Sequence, residues 1–180
     1  MRLLVMSCSN RKIKEPALMP AWDRYDGPAY WVVNAAIREV SCPPTTHIII
    51  SAKLGVIEPT LPIPDYNVKM TPFLAKIQAP RIREALQLKV DEVKPSEILV
   101  FAGPHYQAAI MPPISWAGDV PVSAVWGQLG FRYQLLRAWY RGGVACLNGG
   151  FKVLASGLII KEGDKFSLPR TEVPKAKRGE

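Results

Sequence analysis

The chain has 180 residues, 48% of them apolar, and 23 Lys and Arg against 15 Asp and Glu give a formal net charge of +8. This length fits one domain with a full hydrophobic core. No apolar run approaches the ~20 residues of a membrane-spanning helix or has the layout of a signal peptide, so the expectation is a soluble, cytoplasmic protein with no membrane partner.

The three cysteines, Cys8, Cys42 and Cys146, are widely spaced and form no CxxC pair; His47 and His105 are far apart. This argues against a disulfide framework and a structural zinc site, and no metal or cofactor is expected. The charge points to a polyanionic partner, nucleic acid first and a phosphorylated small molecule second.

In chain order, residues 2–7 read as a buried strand, followed by a polar exit, Cys8-Ser9-Asn10-Arg11-Lys12, and a loop to Gly27. Tyr25-Asp26-Gly27-Pro28 is a turn into a helix over about 29–40, with Tyr30, Val33, Ile37 and Val40 on its apolar face. Residues 47–51 form a second strand, ending in Ser51-Ala52-Lys53-Leu54-Gly55. The proline-rich stretch to about Met70 reads as an ordered binding loop. Thr71-Pro72 caps a basic helix reaching about Val90, kinked at Pro80, with Leu74, Ile77, Ile82, Leu86 and Val90 as its buried side.

A third strand spans 97–102, with Gly103-Pro104-His105-Tyr106 as its exit and a short helix to about Met111. His105 reads as a loop residue. Residues 120–125 form a fourth strand, placed by Pro121 at an edge or early position, and a helix follows over 131–140. The repeated order of strand, polar exit and helix predicts an α/β single domain with a mainly parallel central sheet flanked by helices. The boundaries are an α/β core over 1–150, a terminal β-hairpin over 151–168 and a flexible basic tail over 169–180.

The chain has no GxGxxG, no P-loop, no GxSxG and no HExxH. The chemistry must come from the strand exits, because ligands of open α/β sheets sit beyond the carboxyl ends of strands. If strands one and two are parallel neighbours, their exits open onto one crevice. There Ser9 and Ser51 would hold a phosphate or base edge, and Lys12 and Lys53 would neutralise phosphate. Tyr25 and Tyr66 would stack on a base, and Gly27 and Gly55 would let the backbone turn or approach closely.

Asp26 and Asp65 are the candidate catalytic acids, as general base or stabiliser of a sugar cation. Each reads equally as a cap or turn residue. Cys8 reads as a small structural cysteine beside the strand more readily than as a nucleophile. Arg81, Arg83, Arg132 and Arg137, with Lys175, Lys177 and Arg178 of the tail, are the candidate nucleic-acid contacts.

Four segments together carry a resemblance: Cys8 to Lys12, Ala21 to Pro28, Ser51 to Ile57, and Pro64 to Met70. In order and spacing they resemble a family of small bacterial and phage domains distantly similar to the YaaA peroxide-stress proteins. That group shares the serine-x-x-x-glycine segment after a strand and the proline-x-tyrosine segment downstream. It is similar in turn to domains of DNA- and tRNA-base modification systems. The resemblance covers residues 1–70 well and the rest loosely.

It implies an α/β core associated with DNA or modified bases, and it marks Cys8, Ser9, Lys12, Tyr25, Asp26, Gly27, Ser51, Lys53, Gly55 and Tyr66. Asn67 departs from it, since relatives carry an acid after the tyrosine; Asp65 would have to stand in. The leading expectation is an enzyme acting on nucleobases, most concretely an N-glycosylase releasing a base, modified or not, from DNA. A non-catalytic DNA-binding accessory protein and an enzyme on a free nucleotide or deoxynucleoside are the alternatives.

Overall fold

A computed structural model describes residues 1–39, 43–111, 114–125, 128–142 and 153–154. The chain runs β1 (Arg2–Ser7), β2 (Met19–Pro20), α1 (Ala21–Arg24), α2 (Pro28–Glu39), β3 (Thr45–Ser51), β4 (Gly55–Ile57) and β5 (Pro62–Ile63). It continues through α3 (Pro72–Val93), β6 (Glu97–Phe101), α4 (Pro104–Ile110), α5 (Ile114–Ala117), β7 (Val122–Ala124), α6 (Leu129–Gly142) and β8 (Val153–Leu154).

The main sheet has the order β4-β3-β1-β6-β7-β8. Its four inner strands are parallel, and β4 and β8 are antiparallel at the edges. The fold is therefore α/β with a mostly parallel sheet. Central β1 is buried on both sides: Leu3 and Val5 face the core under α3, α4 and α5, while Leu4 and Met6 face the core under α2 and α6. Burial of both faces is why this strand reads as an unbroken apolar run.

From β1 the chain moves one way to β3 and then returns across the sheet to β6. Connections that leave in opposite directions open a crevice at the carboxyl ends of β1 and β6.

The helix faces depart from the expected registers. In α2 the buried residues are Tyr30, Val33 and Ala36, and Ile37 is 45% exposed; Val40 lies outside the described residues. In α3 the buried row is Ala75, Ala79, Ile82, Leu86 and Val90, and Ile77 is 58% exposed. Ala75 and Ala79 take the inner positions, and that register turns Ile77 outward. The helix runs through Pro80. Its N-terminus is as expected: Thr71 Oγ1 accepts the Leu74 N–H at 3.1 Å, and Pro72 opens the first turn.

The proline-rich stretch after β3 is not one loop, because β4 folds back onto β3 and β5 pairs with β2. His105 lies in the first turn of α4, not in a loop. Of the expected hairpin over 151–168 only β8 is described, lying against β7, so β7 is not an edge strand. The basic tail lies outside the described residues.

One buried and one half-buried polar group tie the α2/α6 side together. Arg24 is fully buried. Its Nη1 donates to the carbonyls of Ile13 (2.7 Å) and Glu15 (2.8 Å), and its Nη2 to those of Ala17 and Ile63. His47 rests against Trp22, with ring centroids 4.9 Å apart, and its Nε2 pairs with the Tyr140 hydroxyl. Burial pushes the imidazole pKa down to about 4.

Replacing Arg24 by Met would take the donor from four carbonyls, of which that of Ile63 is buried, and a group left unpaired away from water costs about 1–3 kcal/mol. The variant is expected to lose at least about 3 kcal/mol of stability, read from the urea midpoint. His47 gives a pH signature. Folded, it stays neutral down to about pH 4, whereas in the unfolded chain it takes a proton near pH 6.5. Stability should therefore fall as pH drops from about 6.5 to about 4, by roughly 2–3 kcal/mol. A His47→Phe variant should show a flatter dependence over that window.

Candidate functional site

The site begins with a turn. Ser51, the last residue of β3, accepts the N–H groups of Lys53 (3.1 Å) and Leu54 (3.0 Å) at Oγ. A serine side chain that takes the place of a backbone acceptor in this way starts a tight turn. The turn ends at Gly55, whose φ of +76° is a left-handed conformation open to glycine at little cost, and Gly55 pairs with Ser51 across the hairpin. The serine-x-x-x-glycine segment is thus a hairpin that stops β3 and aims Ser51 inward.

Both lone pairs of Ser51 Oγ are occupied, so its own O–H donates to the Tyr66 hydroxyl at 2.6 Å. Tyr66 also pairs with the Tyr25 hydroxyl. At the neighbouring exits the Cys8 thiol lies 3.0 Å from the Tyr106 hydroxyl, and Tyr30 donates to the Ser7 carbonyl at 3.2 Å. A buried polar cluster thereby spans the ends of β3, β1 and β6. Burial, with Cys8 beside it, pushes the Tyr66 phenol up to about 12. Tyr25 and Tyr106 are also raised, chiefly by burial. All three stay protonated near neutral pH.

Tyr25 and Tyr66 are only 2% and 8% exposed. The expected role as stacking faces for a base is corrected: their rings are packed, and they serve as hydrogen-bonding posts.

The segment 10–14 lies over this cluster. Lys12 bridges to Tyr25, the Ile13 N–H bonds the Arg24 carbonyl at 2.9 Å, and the Asp26 N–H bonds the Arg11 carbonyl at 3.1 Å. Lys12 Nζ sits 4.6 Å from the centroid of the Tyr66 ring, and Lys53 Nζ sits 5.4 Å from it. Ammonium groups over an aromatic ring gain from its negative face. Partial burial lowers the Lys12 pKa, and its neighbours Cys8 and Asp65 work against that fall.

Beside Tyr66 opens a cleft of about 220 Å³, lined by Lys12, Lys14 and Lys69, by Asn10 and Asn67, and by one carboxylate, Asp65. Of the expected site residues, Lys12, Asp65 and Tyr66 line the cleft, Tyr25 and Ser51 are hydrogen-bonded to Tyr66, Lys53 lies over its ring, and Cys8 pairs with Tyr106 at the neighbouring exit. Asp26 does not line the cleft. Its carboxylate holds Arg11 Nε at 2.7 Å and accepts Trp31 Nε1–H at 2.7 Å, with the Arg11 guanidinium over the Trp31 ring. Ser9 caps its own loop by accepting the Arg11 N–H at 3.1 Å. It also presses on Gly27, where an added Cβ would lie 2.3 Å from Ser9 Oγ. Gly27 is thus required by close approach.

The expected nucleic-acid contacts separate. Arg83 donates to the carbonyls of Ala109 and Met111, and Arg132 to that of Ala102 at 2.8 Å, so both serve the fold. Arg137 pairs with Glu39. Arg81 is exposed on α3. Lys175, Lys177 and Arg178 lie outside the described residues.

Sequence reasoning passed over Tyr106, Asn10, Lys14, Asn67 and Lys69. The signal for Tyr106 was its place in the exit after β6. The others flank marked motif residues by three positions or fewer.

A model described as a family of unknown function, DUF6884, matches residues 3–137. The chain belongs to this family. No curated protein and no solved structure matches it. The DUF6884 span covers all four parallel strands, the Ser51 hairpin and every residue lining the cleft, and it ends within α6. Among the described residues no helix is long and apolar enough to cross a membrane.

The Gly27 contact is testable by a double-mutant cycle. Gly27→Ala should lower stability by about 1–3 kcal/mol through overpacking. Added to a Ser9→Gly background, the same change should be much less damaging, because both clashing atoms are gone. Additive effects in urea denaturation would show that the contact with Ser9 is not what excludes a side chain at 27.

Proposed function

We propose that this DUF6884 protein acts on nucleobases, most concretely as an N-glycosylase that releases a base from DNA. The observation that carries the reading is the cleft at the strand exits, lined by three lysines and a single carboxylate beside a buried hydroxyl cluster. The lysines suit the phosphates flanking a nucleotide, and the asparagines suit a base edge. A base taken out of a duplex would present its glycosidic bond to Asp65.

In this reading the C1′–N bond breaks, and its electron pair leaves with the base, which takes up a proton. Asp65 stabilises the sugar cation that remains and removes a proton from the water that adds at C1′. Asp65 is preferred over Asp26, whose carboxylate is already engaged by Arg11 and Trp31. Support for this class of chemistry also comes from the resemblance to the YaaA group and to base-modification domains. A cytoplasmic location is part of the proposal.

One observation favours a second reading, an enzyme on a free nucleotide or deoxynucleoside. Arg83, Arg132 and Arg137 are spent within the chain, so positive charge is concentrated at a small cleft.

The purified protein should be incubated with DNA carrying normal and modified bases, and separately with free nucleotides, and released base sought by mass spectrometry. Release from DNA is expected, reduced by about 10²–10⁴-fold in Asp65→Asn and little changed in Asp26→Asn. Release from free nucleotides alone establishes the second reading. No release from any DNA that binds removes the glycosidic step and leaves a non-catalytic DNA-binding protein.

A further inference from the structure

We infer that α3 is a dimerisation helix, packing antiparallel against α3 of a second copy of this chain. The helix has 22 residues, about 33 Å of length. Its inner row, Ala75 to Val90, is buried on the sheet. The opposite face carries Phe73, Ile77 and Leu88, which are 74%, 58% and 66% exposed. One helix showing three large apolar side chains on the face away from its own core is unlike a solvated surface.

The row between them names the occupant. Arg81 and Glu84 are exposed and stand between Ile77 and Leu88 on this face. Residues three apart are neighbours on a helix, yet the described ion pairs do not include one between these two. A two-fold axis crossing the helix at the level between Ile82 and Arg83 sets Ile77 opposite Leu88 of the second copy. The same axis sets Arg81 opposite Glu84 of the second copy, and by symmetry each contact occurs twice. Phe73, one turn beyond Ile77, falls opposite the turn that carries Glu92 of the second copy. The central positions 77, 81, 84 and 88 are therefore complementary to themselves in polarity and charge, as an isologous interface requires.

A different partner would need a matching charge pattern of its own; a second copy already has it. The contact does not depend on the glycosidic reading.

The test is the oligomeric state of the full chain by sedimentation velocity up to about 0.1 mM, where a micromolar complex is mostly associated. The wild-type chain is expected to dimerise. Arg81→Glu alone and Glu84→Arg alone should weaken the dimer by about tenfold or more, since each sets like charges opposite one another. The double exchange, Arg81→Glu with Glu84→Arg, should restore it. Circular dichroism should be unchanged in all three, as both positions are exposed. A monomeric wild-type chain overturns the inference, whether the face is bare, covered by another segment or held for another protein. A dimer indifferent to the two single exchanges overturns it equally.

Discussion

The structure around the site depends on a cation that never meets water. Arg24 is fully buried, and its guanidinium gathers carbonyls from Ile13, Glu15, Ala17 and Ile63. A buried charge is costly unless its donors are satisfied. Here four partial negative charges, drawn from two separate segments, meet four of its N–H groups. The planar fork of arginine suits several carbonyls at once; a lysine ammonium has neither the reach nor the number of donors. By holding 13–17 and 63 in one place, Arg24 sets the path of the chain on both sides of the cleft. Its neighbour Tyr25 then falls next to Tyr66.

That placement decides the electrostatics. The Ser51, Tyr66 and Tyr25 hydroxyls lie inside, hydrogen-bonded to one another, and burial keeps the phenols protonated. The lysines sit above them, with Lys12 and Lys53 over the Tyr66 ring. Positive charge is thus concentrated over a neutral polar floor with a single carboxylate, Asp65, in the cleft lining. An anion entering such a place meets attraction from the lysines without an acidic floor to repel it. The basic excess of the whole chain is less informative than this local arrangement, because several arginines are consumed in holding elements together.

The same economy of packing shapes α3. Alanines at 75 and 79 occupy its inner face, and its larger residues at 73, 77 and 88 are left outside. Small residues on one face and apolar exposure on the other are two results of one register.

Much of the architecture was legible along the chain. Strands buried on both faces must be continuously apolar, and so β1, β3 and β6 announced themselves, as did the Thr71-Pro72 start of α3. The strand exits likewise marked Cys8, Lys12, Ser51, Lys53 and Asp65, because a polar break after an apolar run is where a parallel sheet meets solvent. What tertiary structure decided were matters of direction and partnership. Ile37 and Ile77 fit an apolar period, but the registers fixed by packing put Ala36, Ala75 and Ala79 inside instead. Tyr25 and Tyr66 looked like open rings, yet a residue's exposure depends on what folds over it, here the segment 10–14. Asp26 and Asp65 are alike in sequence. Arg11 and Trp31 engage the first, and the second lines the cleft, a difference set by residues that only folding brings together.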